Sequence, residues 1–377
     1  MAIHQSSLDP PIPAAVDRGP ARYFHGRKHV RRDFEGLLGR ASDTDTGTTF
    51  LIQGAPGIGK SALLYECERH ARSRKWKVAD IGVDALWDSH KLLDSLGLGD
   101  KYEVTEKSTQ FGLKDFFSRG YKSIQPQSTV KNILEDGKHP LLLILDEAQV
   151  LGDKDVPPSE YKATTIHVLD LIHNGKLGRP VVLLAAGLNE TRDAFGKLKI
   201  SRFGQNCLVQ LGALSRESER AVIRDWLEKE GGAKEDPTAW IEAIAQKTYG
   251  WPHHVLSYVY PAANQLKADG GIMTANGLKA VLKAGEKGRL AYYQERVVRF
   301  RGDQIRCLAR SIADVPQGKP AEYKDILSSL KKEYGRSTAE KLFQRFERKG
   351  ILEESGAGFA VPIPSMHTWL KEEYANK

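Results

Sequence analysis

Eight consecutive residues, Gly54 to Ser61, have the types and spacing of a phosphate-binding loop. Their sequence, Gly-Ala-Pro-Gly-Ile-Gly-Lys-Ser, fits the pattern G-x-x-x-x-G-K-[ST]. The apolar segment before it is typical of a buried strand, and the segment after it is typical of a helix start, which is the context that the pattern requires. Glycines let the backbone approach a phosphate closely, and the N–H groups and dipole of a helix N-terminus favour an anion. The pattern therefore predicts a nucleotide phosphate site.

Two side chains of this loop have specific predicted roles. Lys60 is expected to reach the β- and γ-phosphates, and the hydroxyl of Ser61 is expected to hold Mg²⁺. A glycine turn that fits the pattern by chance is the alternative, which the flanking strand and helix disfavour. The predicted nucleotide-binding residues of this stretch are Gly54, Ala55, Pro56, Gly57, Ile58, Gly59, Lys60, Ser61 and Ala62.

An acidic pair follows a second apolar segment. Leu141–Leu145 is apolar at every position, which is typical of a central parallel strand, and Asp146 and Glu147 come directly after it. Ligands of open α/β sheets bind at the carboxyl ends of the strands. Asp146 therefore suits the Mg²⁺ shell, and Glu147 suits a general base that polarises the attacking water. The alternative is an ordinary acidic strand end.

Further strands and helices must position these groups. Lys77–Ile81, Val181–Ala186 and Cys207–Leu211 are predicted strands, and Tyr161–Asn174 is a predicted helix. Asn189 follows the strand at Val181–Ala186 and places an amide at its carboxyl end. Because strands and helices alternate, the predicted core is an α/β, doubly wound parallel sheet.

Length, charge and cysteine content limit the class of protein. The chain has 377 residues, which favours two or three domains, and no apolar run is long enough to span a membrane. The three cysteines fit no metal spacing and indicate free thiols in a reducing cytoplasm. The net charge is +8, and residues 287–377 hold 18 Lys and Arg against 12 Asp and Glu. This asymmetry fits either an acidic partner such as nucleic acid or a solvated basic surface.

The predicted domains are a flexible, proline-rich N-terminal arm at residues 1–20, a nucleotide-binding α/β domain at 21–212, a helical lid at 213–290 and a winged-helix domain at 291–377. In the lid, Ser215 is a predicted N-cap. In the last domain, three helices, the third capped by Ser337, precede a glycine-turn hairpin, an order typical of a winged helix-turn-helix. That third helix is predicted to turn four side chains outward for DNA contact, with packing or protein contact as the alternative: Lys341, Gln344, Arg345 and Arg348.

The segment Val83–Gly137 has a weaker pattern. Four aromatic residues stand among basic ones: Phe111, Phe116, Phe117 and Tyr121, with Lys107, Lys114, Arg119 and Lys122. Such interleaving can stack on single-stranded nucleic acid. The reading that we favour is the core of an inserted helical piece.

These residues resemble the AAA+ P-loop ATPases, over about Phe24 to Leu266 and again in the C-terminal winged helix. The phosphate loop matches the Walker A motif, and Leu141–Glu147 matches Walker B. By this resemblance the Phe24-His25-Gly26-Arg27 opening lies near the adenine, so Phe24 and Arg27 are predicted nucleotide contacts. The resemblance also implies that Asn189 is the sensor-1 residue, and that Arg202 is an arginine finger that reaches the γ-phosphate in a neighbouring subunit.

The lid departs from part of the AAA+ class. The archaeal origin-recognition initiators and the ExeA/TniB-like transposition ATPases carry an arginine three residues after the glycine of their lid motif. Here that glycine corresponds to Gly250, and the position holds His253. The Gly-x-Pro form is similar to the lid of STAND ATPases, which act as nucleotide switches. His253 is therefore predicted either to contact nucleotide in a pH-sensitive way or to pack.

The leading hypothesis is a cytoplasmic, self-associating ATPase that uses ATP, ADP and Mg²⁺ and couples the nucleotide state to DNA binding or a DNA transaction. The alternative is a nucleotide switch that regulates an operon-encoded effector protein in defence or signalling. A substrate-threading remodeller is a third option, for which no aromatic-glycine pore loop is visible. No membrane partner is predicted.

Overall fold

Five parallel strands form the sheet from which the phosphate loop leaves. The computed structural model describes residues 20–45, 47–98, 139–204 and 206–375, together with 131, 134 and 135. The predicted arm before Pro20 and the interleaved aromatic residues between Phe111 and Tyr121 lie outside these described residues. The strands are β1 (Gly47–Gln53), β2 (Lys77–Asp80), β3 (Leu141–Leu145), β4 (Val181–Gly187) and β5 (Leu208–Gln210).

The strand order is β2-β3-β4-β1-β5, and every neighbouring pair is parallel. Every residue of β3 and β4 is buried, which explains why both read as uninterrupted apolar runs. The register places Gln53 opposite both Gly187 and Gln210. The carboxyl ends of β1, β4 and β5 therefore meet at one edge, as predicted for a doubly wound sheet.

Helices pack around this sheet. They are α1 (Lys28–Thr44), α2 (Lys60–Ser73), α3 (Ser89–Leu96), α4 (Lys162–Asn174) and α5 (Thr191–Lys197). Helix α5 was not predicted, because it is short and begins soon after the end of β4. The core on one face of the sheet is apolar, with Leu143, Leu183 and Phe195 almost inaccessible to water.

Contacts divide the chain into two compact units that cut across the predicted domains. One unit joins Ala55–Ala62 with Leu211–Lys377 and the described residues before Lys28, whereas the other contains Lys28–Gly54 and Leu63–Gln210. The phosphate loop thus groups with the C-terminal part of the chain. The domain boundaries at residues 20, 212 and 290 stay predictions.

The first of these units contains the helices of the predicted lid. They are α6 (Arg216–Asp225), continued by a π-helical turn to Glu230, α7 (Thr238–Thr248), α8 (Pro252–Ala268) and α9 (Ala275–Val297). Helix α9 runs without a break through the predicted boundary at residue 290. The Ser215 hydroxyl accepts a hydrogen bond from the Ser218 N–H, so the predicted N-cap is confirmed.

Three helices and a hairpin follow in the same unit. They are α10 (Gly302–Ser311), α11 (Tyr323–Tyr334) and α12 (Arg336–Arg348), then β6 (Glu353–Ser355) paired antiparallel with β7 (Gly358–Ala360), and a last helix, α13 (Pro364–Leu370). This is the predicted order of a winged helix-turn-helix. The Ser337 cap was wrong, because α12 begins one residue earlier and Gly335, at φ +71°, makes the turn into it.

Two general features complete the fold. No helix in the described part of the chain is long and apolar enough to cross a membrane. The three cysteines, Cys67, Cys207 and Cys307, are buried free thiols.

Candidate functional site

The phosphate loop adopts backbone conformations that its glycines permit. Gly57 and Gly59 have φ values of +73° and +92°, which residues with a side chain rarely adopt. Helix α2 begins at Lys60, so the N–H groups of its first turn follow the loop directly. The loop therefore has the local geometry of an anion cradle at a helix N-terminus.

Lys60 is the buried cation of this loop. Its side chain is 8% exposed, and its Nζ donates to the carbonyl of Ala55 at 3.1 Å. This bond holds the ammonium across the loop. Ser61, the next residue, is half-buried in the first turn of α2.

Arg27 ties the phosphate loop to the start of the lid. Its guanidinium donates to the carbonyl of Gly212 at 2.5 Å and to that of Ile58 at 3.3 Å. Burial lowers the pKa of Arg27 from its usual high value. Arg27 thus positions the loop through its backbone, and Phe24 is half-buried nearby in sequence. Their roles as nucleotide contacts stay predictions.

A buried carboxyl group fixes the lid turn at Gly250. One oxygen of Glu219 accepts hydrogen bonds from the Gly250 N–H and the Thr248 hydroxyl, each at 2.5 Å. Burial raises the pKa of Glu219 against the effect of these bonds. Gly250 has φ +71°, and a Cβ there would stand 2.5 Å from the carbonyl oxygen of Leu214. Because the contact between Glu219 and the turn joins residues far apart in the chain, no local sequence pattern indicates it.

His253 packs against the phosphate loop. Its backbone N–H donates to the carbonyl of Gly57 at 3.1 Å, and its ring stacks on Tyr292 with 3.9 Å between the centroids. Burial lowers the pKa of His253, so the ring is neutral at pH 7. Of the two predicted roles, packing is the one that these contacts support.

The acidic pair lies at the carboxyl end of β3. Asp146 is buried, with 8% exposed, and its Oδ1 accepts from the backbone N–H of Glu147 at 2.9 Å. Glu147 is exposed and has φ +55°, a left-handed conformation that is unfavourable for a residue with a side chain. Its exposed side chain lies at the edge of the sheet.

Gln149 connects this carboxylate to the end of β4. Its Nε2 donates to Glu147 Oε2 at 2.5 Å, and its Oε1 accepts from the backbone N–H of Leu188 at 3.1 Å. A Cβ on Gly187 would stand 2.6 Å from Gln149 Oε1, so only glycine leaves room for this amide. Sequence reasoning missed Gln149, because a single glutamine carries no distinctive pattern.

Two further glutamines hold Asn189. Gln210 Nε2 donates to Asn189 Oδ1 at 2.7 Å, and Gln53 Nε2 donates to the Asn189 carbonyl oxygen. These glutamines end β5 and β1 respectively. Asn189 is therefore fixed from two strands at the edge where Glu147 is held by Gln149.

Arg202 is presented on an exposed segment. Its side chain is exposed, while its backbone carbonyl accepts from His173 Nε2 at 2.8 Å. The other ring nitrogen of His173 meets the Thr49 hydroxyl at 3.0 Å, and Phe203 packs edge-on against His173 and Phe195. The contacts of His173 and Phe203 thus fix the backbone that carries Arg202, the predicted arginine finger.

The outward face of α12 differs from the prediction at one residue. Lys341, Gln344 and Arg348 are exposed. Arg345 is half-buried, because its guanidinium lies 4.8 Å from the centroid of the Phe300 ring and donates to the carbonyl of Arg299. The Arg345 side chain thus packs against Phe300, and its role in DNA contact stays a prediction.

Comparison with known proteins adds evidence on the fold. No model of a known protein family matches the sequence, and no curated protein matches it significantly. A Walker-type ATPase of Pyrococcus abyssi is similar in structure, with 13% identity, a TM-score of 0.56, and coverage of 92% of this chain and 96% of that chain.

The ORC2 protein of Aeropyrum pernix is also similar. Its ADP form matches with 13% identity and a TM-score of 0.58, over 96% of this chain and 97% of that chain. Its ADPNP–ADP complexes match with 13% identity and a TM-score of 0.56, over 94% and 97%. At this level of identity the likeness concerns the fold alone. The chain therefore has the fold of the AAA+ P-loop ATPases, an α/β parallel sheet with a C-terminal domain, and resembles the archaeal Orc-type members.

Proposed function

We propose that this protein binds ATP and hydrolyses it to ADP and phosphate. The observation that carries the proposal is the phosphate loop itself, with left-handed backbone at glycines, a buried Lys60 and the start of α2 directly behind it. The ORC2 structures are named as complexes of ADPNP and ADP, which supports an adenine nucleotide as the ligand for this fold.

The chemistry is assigned to residues of the loop and of the sheet edge. The hydroxyl of Ser61 and the carboxylate of Asp146 are the oxygen ligands that Mg²⁺ prefers, and this ion uses few protein ligands beside substrate phosphates. Bound Mg²⁺ would neutralise charge on the phosphates. Glu147 takes the proton of the attacking water. Asn189 supplies a polar side-chain amide at the same edge of the sheet.

Two substitutions test this assignment. We expect Lys60→Ala to weaken ATP binding and abolish turnover. Glu147→Gln keeps the size of the side chain but removes the base, so ATP binding should remain while turnover falls by about 10²- to 10⁴-fold. Phosphate release and equilibrium nucleotide binding measure the two effects. Normal turnover by Glu147→Gln would show that Glu147 is not the base.

We further propose that the protein self-associates, with Arg202 acting in a neighbouring subunit. The support is the exposed side chain of Arg202, on a backbone that His173 holds through the Arg202 carbonyl. Arg202→Ala should bind ATP and fail to hydrolyse it. Mixing Arg202→Ala with Lys60→Ala should restore some turnover, because one subunit then supplies the finger and the other the phosphate loop. A mixture without activity, at a mass by light scattering that shows assembly, would contradict a shared site.

DNA is the proposed macromolecular partner, through the C-terminal helices. The support is the excess of basic residues in residues 287–377 and the exposure of Lys341, Gln344 and Arg348. Binding should fall steeply with salt, because phosphate contacts release counterions. A titration of labelled duplex at several salt concentrations, with ATP and with ADP, measures this. Binding that is absent or insensitive to salt would remove the DNA hypothesis.

A nucleotide switch that holds an effector protein is the second candidate. The observation that favours it is the close packing around the loop: Pro252 lies against Gly59, and Pro56 lies against Gly350, where a Cβ would stand 2.7 Å from the proline ring. Such contacts link the loop to both the lid and the end of α12. Tightly retained ADP and slow turnover would support the switch, whereas rapid turnover stimulated by DNA would count against it.

A further inference from the structure

We propose that the exposed face of α11 binds single-stranded DNA, with Tyr323 stacked on an unpaired base and lysines of the same face on the phosphates of the strand. This inference rests on the proposed DNA partner. It names a second contact surface, on a different helix from α12, and the kind of strand that this surface takes.

An open groove runs along this face of α11. Its lining residues lie in two adjacent rows on one side of the helix, at a spacing of four residues within each row. They are Tyr323, Leu327 and Lys331 in one row, and Lys324, Ser328 and Lys332 in the other. At 1.5 Å per residue the face is about 13 Å long, which is the length of a few nucleotides of one strand. Three of the six lining residues are lysines, so the groove is basic.

The aromatic ring of the groove is exposed and held in place. Tyr323 is 44% exposed. Its ring packs edge-on against Phe343 of α12, with 4.7 Å between the centroids, and its centroid lies 6.0 Å from that of Phe359 in β7. Phe343 and Phe359 also pack against each other. Tyr323 thus offers a fixed ring with accessible surface, as the stacking of a base requires.

The lysines can exchange their present partners for phosphates. Lys324 Nζ lies 2.7 Å from a carboxylate oxygen of Glu322, and Lys331 Nζ lies 3.9 Å from one of Glu340. All four of these side chains are at least 37% exposed, and ion pairs between exposed groups contribute little to stability. Lys332 is exposed as well. A strand that brings several phosphates to this face therefore gains several cationic contacts and breaks only weak pairs.

The composition of the face favours a nucleic acid over a protein as the partner. The surfaces of protein–protein interfaces are depleted in lysine. Grooves that follow a single strand combine basic side chains for the phosphates with aromatic rings for the bases. Because stacking and phosphate contacts do not read base edges, we expect binding that depends little on the DNA sequence.

Substitutions of Tyr323 test the stacking. Tyr323→Leu keeps an apolar side chain beside Phe343 but removes the aromatic ring, whereas Tyr323→Phe keeps the ring. The matched control is Tyr161→Leu, because Tyr161 is also 44% exposed and belongs to the other compact unit. Fluorescence anisotropy of labelled oligo-dT, and of a duplex of the same length, measures the affinities, and the melting temperature of each variant checks its fold.

We expect Tyr323→Leu to bind oligo-dT about tenfold more weakly, which is the size of one lost base–aromatic stack. Its affinity for the duplex should be unchanged, because paired bases are not free to stack on the ring. Tyr323→Phe and Tyr161→Leu should bind oligo-dT as the wild type does.

A lysine substitution tests the phosphate contacts. For single strands, the slope of log affinity against log salt changes by about 0.7 for each phosphate contact that is lost. We expect this change for oligo-dT binding by Lys332→Gln. The control is Lys283→Gln, which replaces an exposed lysine of α9 and should leave the slope unchanged.

Three results would overturn the inference. Equal affinities of wild type and Tyr323→Leu for oligo-dT, or an equal loss in Tyr323→Phe, would show that no base stacks on the ring. Equal losses of oligo-dT and duplex affinity in Tyr323→Leu, with a lower melting temperature, would show a structural role of Tyr323. A wild type that binds the duplex but not oligo-dT would show that the groove takes no single strand, and would point to an acidic protein segment as its occupant. A wild type that binds neither DNA would instead overturn the proposed DNA partner, so the two failures are distinguishable.

Discussion

The carboxyl edge of the sheet and the lid turn at Gly250 are held by different kinds of contact. At the edge, the side chains that we assign to chemistry are hydrogen-bonded to their neighbours: Glu147 to Gln149, and Asn189 to Gln210. Around the lid turn, Trp251, His254 and Tyr292 are buried and pack ring against ring. Hydrogen bonds orient the first region, and the packing of buried rings holds the second.

This difference shows what each region can respond to. A hydrogen-bonded edge is preorganised, so its groups need little rearrangement when charge develops nearby. A histidine buried among rings resists taking up a proton, because burial disfavours its charged form. We infer that the edge contributes to the rate of hydrolysis, and that the lid turn makes the stability of the protein depend on pH.

The largest expected effect is on the pH dependence of stability, through His254 in the lid. His254 is fully buried among the rings of Trp251, Tyr292 and Tyr293. Burial, with smaller contributions from His253 and Arg289, lowers its pKa to about 3. The contribution of neutral His254 to the free energy of unfolding is therefore fully present above pH 6.5, the ordinary pKa of histidine. It is lost as the pH falls from there towards 3. Between pH 7 and pH 5 the loss is about 2 kcal/mol.

Urea unfolding of wild type and His254→Phe at both pH values measures this loss. The variant has no titrating group at the site, so its free energy of unfolding should fall by about 2 kcal/mol less on acidification. The exposed His29, replaced by glutamine, is the control and should leave the wild-type difference intact. An equal fall in the free energy of unfolding on acidification, in wild type and in His254→Phe, would remove the contrast between the two regions.

Short-range patterns predicted much of the sheet edge. β3 and β4 are apolar on both faces, so they read as buried strands, and Asp146, Glu147 and Asn189 follow them in sequence. The glycines and Lys60 of the loop are recognisable for the same reason. The glutamines that hold the edge were missed, because their partners come from different strands and depend on the register.

The lid could be predicted only as a set of helices. Tyr292 reaches Gly57 across most of the chain, and no local pattern indicates such a contact. Arg345 reads as an exposed base on an amphipathic helix, and only the position of Phe300 shows why it packs. Ser337 is a good cap by residue type, but the left-handed backbone of Gly335 begins the helix earlier.

Gln149 offers the next largest effect, at the sheet edge. We expect Gln149→Ala to lower kcat about tenfold with little change in the KM for ATP, because the Glu147 carboxylate loses the amide that orients it. Gln149→Glu should lower kcat further and move the acid limb of the pH–rate profile to higher pH, since a like charge raises the pKa of a carboxyl group. Steady-state kinetics across pH measure both.

The two Gln149 variants separate positioning from simple packing. A packing role would lower the melting temperature in both variants and leave the pH profile in place. An unchanged kcat in Gln149→Ala would show that the edge is not preorganised by this bond, and would weaken the distinction that we draw from the lid.

The smallest expected effect concerns Gln210, which supports Asn189 from β5. Gln210→Ala removes the 2.7 Å bond to Asn189 Oδ1 but leaves the bond from Gln53 to the Asn189 carbonyl oxygen. A net hydrogen bond is worth about 1 kcal/mol, so the expected fall in kcat is about threefold to fivefold, with ATP affinity unchanged. Gln265→Ala is the matched control, because the Gln265 amide also donates a hydrogen bond, of 2.8 Å, to Asp269 at the C-terminal end of α8. If Gln265→Ala and Gln210→Ala lower kcat equally, the effect reflects general stability. If only Gln210→Ala lowers kcat, and ATP binding is retained, the hydrogen bonds of the sheet edge act on the reaction and not on the affinity for ATP.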